Sequence, residues 1–565
     1  MSVYSNKSLS SPFWLVAWAC ALSWCWLLPN HYPPWPAFHM ETWAAAALLP
    51  MAAAVLWRTR DEMRMSVLAI GVLGLSVMPW LQYAAGMIPF AGTAWMAFAY
   101  LVGLALAILV GQRWEWSSPA QLGDGLFMAI GIAALMSVGL QLHQWLQLDL
   151  MDIWLMGNAY GRPFANFGQP NQLGTLLLWG ILALSWGASR AYIRPVVMVV
   201  ATVYLLFGLA LTASRTAWVG VVLLVLATWY WRALWPWRSA PWIATALALC
   251  FFAFVRIIPL MTNALLLSSV EGELEALERL SSDIRPQAWA LFLDAIRQRP
   301  WFGYGWNQVV TAHLAVAVDH PPLRMLFSQS HNLFLDLLLW CGIPLGLAIS
   351  GLLISWIWRR FRAIQDPASA LMFLLVMVVG NHAMLELPLH YAYFLLPVGL
   401  VMGALDSRLY GRVGTFRQRW LASALWLGSV VLLAVIVRDY ARIEASYQVL
   451  RFEWANIRTK ASREPPPVLV IDQLRDLIAI SRFEPHSGLS VEQLVWMRHV
   501  ASLNPSPGVI HKLAAALVWN GQPDEATLWL RRLCAVASRN QCEVIKNSWQ
   551  KQSESDPRIA AVPWP

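Results

Sequence analysis

Charge is what this sequence has least of. Asp, Glu, Lys and Arg make up 13% of its 565 residues, about half the ~25% of an average soluble domain. That scarcity excludes an ordinary soluble enzyme. The first apolar stretch, 12–29, lacks a small-x-small cleavage site, so it reads as a retained membrane helix and not as a signal peptide. Cysteine is sparse as well. Four of the six fall in apolar stretches, where a thiol behaves as a small apolar group. Cys534 and Cys542 lie near the C-terminus at a spacing that suits no zinc motif; a disulfide and two free thiols both fit them.

What the chain has instead is apolar length, 58% hydrophobic residues with mean hydropathy +0.52. Runs near 20 residues recur through the first three quarters, each long enough to cross a hydrocarbon core of about 30 Å as a helix. Helix is required there because lipid offers the backbone no hydrogen-bond partner. The pattern predicts thirteen spans: 12–29, 43–57, 65–80, 91–111, 121–142, 171–187, 195–212, 216–231, 241–259, 331–357, 369–387, 391–407 and 420–437. The second is short and the tenth is long.

Arginine sets the orientation. One set of alternate loops holds Arg58, Arg60, Arg64, Arg113, Arg190, Arg194, Arg232, Arg238, Arg359, Arg360, Arg362, Arg408, Arg412, Arg417 and Arg419; the short loops of the opposite set hold only Arg162 and Arg215. The positive-inside rule makes the first set cytoplasmic. The net charge of +9 is thus mostly topological and implies no nucleic-acid partner. The expected architecture is an all-α polytopic membrane protein of about thirteen transmembrane helices, embedded in a lipid bilayer. Its parts are N-terminal membrane helices (1–259), a long periplasmic loop (260–330), C-terminal membrane helices (331–437) and a periplasmic helical tail (438–565). Within the tail, 508–536 reads as two helices joined by NGQPDEA, like one tetratricopeptide hairpin. In the loop, 286–299 has helical spacing with Trp289, Leu291, Phe292 and Ile296 on one side, and Pro300, Gly303 and Gly305 then make a turn.

None of the eleven histidines falls in an arginine-rich loop, which places any proton-transfer chemistry on the outer face. Three polar clusters fall on that same face. Gly161 to Gly174 carries Arg162, Asn166, Gln169, Asn171 and Gln172 at the entrance to a membrane helix. Such groups are costly there without partners or a ligand, and an Asn171 cap after Pro170 would explain only one or two of them. In the second cluster, Leu211 to Gly220, Arg215 is the one charge in a long apolar stretch. Set beside Ser214 and Thr216 at a helix start, it suits a phosphate, although an arginine snorkelling to headgroups would look similar. The third, Ser328 to Asp336, places His331 and Asn332 at a helix start with Asp336 one turn deeper. A weaker fourth group runs from Asn381 to Tyr393.

At these residues the sequence resembles a known family. SRTAWVG followed after a long loop by HPPLRMLFSQSHNLFLDLLLWCGIPLGL is similar to the signature region of the O-antigen ligase and O-antigen polymerase superfamily. FANFGQPNQLGT, LPLHYAYFLLP and the helical tail resemble the bacterial protein O-oligosaccharyltransferases. That resemblance implies transfer of a glycan from an undecaprenyl-diphosphate-linked donor to Ser or Thr of periplasmic acceptor proteins such as pilins, with the active site facing the periplasm. It implies diphosphate contacts at Arg215 and Arg285, and a His331 that activates or orients the acceptor hydroxyl. It also implies a functional glutamine at Gln169 or Gln172 and a tyrosine at Tyr391 or Tyr393, with Asn171 and Asn332 beside the substrate.

No cofactor is implied. An Asp-x-Asp motif, the usual cue for a divalent-metal glycosyltransferase, is missing; Asp149 and Asp152 have the wrong spacing, and Glu275 with Arg279 reads as a helix pair beside Glu271, Glu273 and Glu278. The expectation is metal independence. An O-antigen ligase acting on lipid A–core is the nearest alternative. A transporter or flippase is the alternative of another class, and would be expected to carry ionisable or broken segments near the midplane.

Overall fold

Proline opens several of the helices, as expected for a residue whose missing N–H costs nothing in a first turn. In the computed structural model, which describes residues 12–58, 64–148, 150–151, 153–157, 162–267, 284–410, 416–417 and 419–564, the chain is helical throughout. The exception is a two-residue antiparallel ladder pairing β1 (Arg64–Met65) with β2 (Phe416–Arg417). Helices in the membrane region are α1 (Pro12–Ser23), α2 (Phe38–Arg58), α3 (Val67–Leu75), α4 (Met78–Ala84), α5 (Ala91–Ser117), α6 (Gln121–Trp145), α7 (Pro170–Ser189), α8 (Pro195–Leu211), α9 (Arg215–Tyr230) and α10 (Ala240–Ala264). After α11 (Arg285–Gln298) and α12 (Val309–Val316) come α13 (Leu333–Ala363), α14 (Pro367–Ala383), α15 (Ala392–Tyr410) and α16 (Arg419–Trp454). The tail adds α17 (Asp472–Arg482), α18 (Val491–Leu503), α19 (Pro507–Trp519), α20 (Pro523–Val536), α21 (Arg539–Ser553) and α22 (Pro557–Ala560).

Each of the thirteen expected spans coincides largely with helix, the one at 65–80 being split between α3 and α4. Among the described residues nine helices are long and apolar enough to cross a membrane, and the segments expected at 12–29, 195–212, 216–231 and 369–387 form shorter apolar helices. The acidic residues Glu271, Glu273, Glu275 and Glu278, with Asp149 and Asp152, lie outside the described residues.

The chain divides into two compact units, Met1–Gly74 with Leu101–Ser282 and Ser355–Leu433, and Leu75–Tyr100 with Asp283–Ile354 and Ala434–Pro565. In the first unit α7 is central, packed on α6, α8, α9 and α14. Helices approach closely where a side chain is absent: a Cβ on Gly403 would stand 1.9 Å from the Ile108 carbonyl oxygen, and one on Gly111 the same distance from that of Leu400. Such small-residue contacts are the usual means of packing helices in lipid. Several topological arginines are paired rather than solvated. Arg360 meets Asp406 at 2.6 Å, and Arg408 meets Glu115 at 2.7 Å and Asp366 at 2.9 Å.

The second unit joins the loop to the tail. Phe90, Val310, Leu314 and Ala317 are buried in one core with tail residues such as Met497, Leu513, Leu530 and Trp549. The Arg324 N–H donates to the Ala535 carbonyl at 3.0 Å. The sequence shows loop and tail as separate segments because the residues that join them lie far apart in the chain. Cys534 and Cys542 form a disulfide between α20 and α21.

Candidate functional site

The first polar cluster separates into two kinds of residue. Arg162 donates through Nε and Nη2 to the Thr212 carbonyl at 3.0 and 2.8 Å, clamping the turn after α8. Asn166 is buried, donating to the carbonyls of Leu27 and Trp154 and accepting from the Met156 N–H. From α6, Gln144 holds the other side of the loop, accepting from the N–H groups of Phe164 and Ala165 and donating to the carbonyls of Met156 and Ala165. Gln141, one turn back, donates to the Pro163 carbonyl. These residues fix irregular backbone that lipid would otherwise leave without partners.

Past Pro170 the side chains turn to other helices. The Gln169 side chain is exposed and makes no capping bond, and the Asn171 side chain does not cap α7 either. Instead Asn171 accepts from Ser214 Oγ at 2.6 Å and donates to Glu386 at 3.2 Å. Ser214 also accepts the Ala217 N–H as N-cap of α9, which fixes the entry of Arg215, an exposed residue in the first turn of that helix. Asn381 donates to the Thr216 carbonyl at 3.1 Å.

One turn into α7, buried Gln172 accepts from the Tyr393 hydroxyl at 2.9 Å and is also hydrogen-bonded to Tyr391. The two tyrosine rings stack at 5.3 Å. Glu41 fixes the start of α15 by accepting the Ala392 N–H at 3.0 Å, and it accepts the Trp35 indole N–H at 3.1 Å. Thr175 and His382 share a buried contact at 2.7 Å. In the first unit Gln172, Tyr391 and Tyr393 thus form one hydrogen-bonded group, Asn171 ties Glu386 to Ser214 at the start of α9, where Arg215 stands, and Gln169 stays at the surface.

The second unit builds its own polar segment. Ser330 is buried, and its N–H donates to Asp336 at 2.8 Å. Its hydroxyl donates to the Asn332 carbonyl at 3.0 Å, and its carbonyl accepts the Trp289 indole N–H at 2.9 Å. Asn332 caps α13, its Oδ1 accepting from the N–H groups of Phe334 and Leu335. His331 therefore sits between two pinned neighbours, in a left-handed conformation (φ 58°) that non-glycine residues seldom adopt. Arg285 is half-buried in the first turn of α11, one turn before Trp289.

A second histidine supports the segment from below. His313 is buried between Phe292 and Phe327, and its Nδ1 accepts the Phe327 N–H at 3.2 Å. Burial lowers its pKa to about 4, so at neutral pH it is an acceptor and not a cation.

Sequence reasoning missed Gln141, Gln144, Glu41 and the load carried by Ser330. The first two carried a usable signal, since two glutamines three residues apart at the end of an apolar span need partners. Among the described residues no group of three or more His, Cys, Asp or Glu is placed to hold a metal ion.

Comparison with known proteins covers most of the chain. Residues 200–350 match the O-Antigen ligase family, 163–186 the Protein glycosylation ligase family, and 370–543 the C-terminal part of the Virulence factor membrane-bound polymerase family. A General O-oligosaccharyltransferase of Acinetobacter baylyi is 30% identical over 524 residues, 91% of this chain and 90% of that protein. A ComP-specific O-oligosaccharyltransferase of the same organism is 27% identical over 361 residues, 62% of this chain and 64% of its own. The chain belongs to the O-oligosaccharyltransferase family, membrane glycosyltransferases of the O-antigen ligase type.

Proposed function

We propose that the chain moves a glycan from undecaprenyl diphosphate onto Ser or Thr hydroxyls of periplasmic proteins, pilin-like proteins among them. Its N-terminus is then cytoplasmic, and its long loop and tail periplasmic. The observation that carries this reading is the likeness to a general O-oligosaccharyltransferase along 91% of the chain; the arginine asymmetry supports the orientation.

The chemistry assigned to each residue follows from its setting. Arg215 and Arg285 each stand in the first turn of a helix, where free N–H groups and the helix dipole favour an anion. Each guanidinium offers planar, bidentate bonding to a diphosphate oxygen pair. The acceptor oxygen attacks the anomeric carbon, its proton passes to the His331 imidazole, and the bond from that carbon to the diphosphate breaks. A single displacement of this kind inverts the anomeric configuration. The lipid diphosphate leaves carrying the charge that the arginines stabilise. No step in this sequence needs a metal, so transfer by the purified enzyme should survive excess EDTA; loss of activity restored by manganese or magnesium would refute that.

The O-antigen ligase match over 200–350 favours a second reading in which lipid A–core is the acceptor. A deletion strain decides between them. The proposal expects loss of glycan from a periplasmic protein with O-chain attachment to lipopolysaccharide intact, and the reverse phenotype would assign the chain as a ligase.

A further inference from the structure

Helix α13 is too long for one crossing. Its 31 residues would rise about 46 Å at 1.5 Å each, against a hydrocarbon core of about 30 Å. Gly342 breaks it, with φ 75° and ψ 173° inside the helix. At the break Pro344 has no N–H to offer Trp340, and the Ile343 N–H goes to the Pro300 carbonyl at 2.7 Å instead of to Leu339. The carbonyls thereby released are taken by the turn that follows α11: Tyr304 N–H donates to Leu339 at 2.7 Å and Gly305 N–H to Trp340 at 3.2 Å. The fit is tight, since a Cβ on Gly342 would lie 2.3 Å from the Trp301 carbonyl oxygen.

Exposure changes at this point. No residue from Leu333 to Gly342 is exposed, whereas Leu347, Leu352, Ile354 and Trp358 all are. Level with the break, the docked turn presents Trp301 at 70% and Phe302 at 71% exposure, beside exposed Ile343. From Ile343 to Trp358, just before the cytoplasmic arginines, the helix rises about 24 Å, close to the ~30 Å of a hydrocarbon core.

We propose that α13 enters the hydrocarbon at Gly342 and that the Trp301–Phe302 turn is an interfacial anchor, seated at the bilayer surface and continuous with the lipid-facing side of α13. Trp concentrates at that level because its amphipathic ring suits it, and Phe302 beside Trp301 adds a purely apolar ring. Two helices then measure the same height. From Gly342 back to Leu333 along α13, and from Gln298 back to Trp289 along α11, the rise is about 13 Å. Trp289 and the start of α13 are the two elements that grip Ser330 and Asn332. The anchor therefore holds His331 at a fixed distance above the membrane surface, whichever reaction it serves.

The test places a nitroxide at Phe302→Cys in full-length protein in lipid nanodiscs, with Cys20 and Cys250 replaced by Ser. Reference labels go at Leu347→Cys and at exposed Ser487→Cys in the tail. The expected result is oxygen collision exceeding nickel-chelate collision at 302, as at 347. A nickel-favoured label at 302, matching 487, would overturn the proposal. If Phe302→Cys fails to insert, Trp301→Cys carries the same two outcomes. The readout does not involve glycan transfer, so it stands or falls apart from the proposed activity.

Discussion

The polar segment around Asn171 in the first unit and the one around His331 in the second secure their residues by different means. In the first, partners lie far apart in the chain: Asn171 and Glu386 are separated by 215 residues, Gln172 and Tyr393 by 221, Glu41 and Ala392 by 351. In the second, Ser330 reaches Asp336 across six residues, and Asn332 caps its own helix. A network tied between helices moves only if the helices move, so its geometry depends on the whole bundle. A locally tied segment keeps its internal shape and depends on whatever holds its ends. The comparison teaches where each unit should be fragile.

The largest effects should come from the residues each scheme exists to place. His331→Ala should lower glycan transfer by about 10²–10⁴ while leaving binding of the lipid-linked donor near its original level, because the arginines remain. Arg215→Ala should weaken donor binding and turnover together, and Arg215→Lys should keep a fraction, since lysine brings charge without the planar fork. Donor binding and single-turnover rates of the purified variants measure both. Near-normal transfer by His331→Ala would reduce this histidine to a helix-start residue and remove the second unit's segment from the chemistry.

The next effect separates the units by pH. His313 is buried and neutral in the second unit, with its pKa lowered from 6.5 to about 4. The unfolded chain then binds a proton that the folded one refuses between those values. The full stability of this site is present above about pH 6.5 and is lost as pH falls toward 4, with a limit of about 3 kcal/mol. Hydrogen exchange of the loop and tail helices, read from pH 7.5 to 5, should show weakening there. His313→Phe should flatten that slope even if it lowers stability at neutral pH through loss of the Phe327 acceptor. An unchanged slope in the variant would locate the acid-sensitive group elsewhere.

How much was legible follows the same division. Apolar periodicity marked the helices, because it is a property of consecutive residues. The Ser328 to Asp336 segment could be singled out for the same reason. The length of the tenth span was visible, but not its cause: Gly342 looks like any helical glycine until the Pro300 to Gly305 turn is docked on it. The Gly161 to Gly174 cluster looked like one site because its partners lie elsewhere in the chain, Gln144 on α6 and Glu386 in the turn after α14. Only packing separates Arg162 and Asn166, which hold the loop, from Asn171 and Gln172, which meet α9 and α15.

That separation yields the smallest and sharpest contrast, within one motif. Gln172 is buried against the Tyr393 hydroxyl, whereas Gln169 is exposed two residues before Asn171. Gln172→Ala strands a buried hydroxyl and should cost about 1–3 kcal/mol. Tyr393→Phe removes the donor instead and leaves the buried Gln172 oxygen without it, so it should cost a similar amount. The double variant should show coupling of about 0.5–3 kcal/mol, as expected for groups in contact. Gln169→Ala should stay within about 0.5 kcal/mol, the usual range for a surface change. Thermal unfolding of the four variants in one detergent, alongside turnover, gives all of these values. If Gln169→Ala abolishes transfer while leaving stability intact, and Gln172→Ala lowers only stability, then the exposed glutamine meets the substrate. The buried one would then belong with Gln144 and Asn166, among the residues that hold the loop in place.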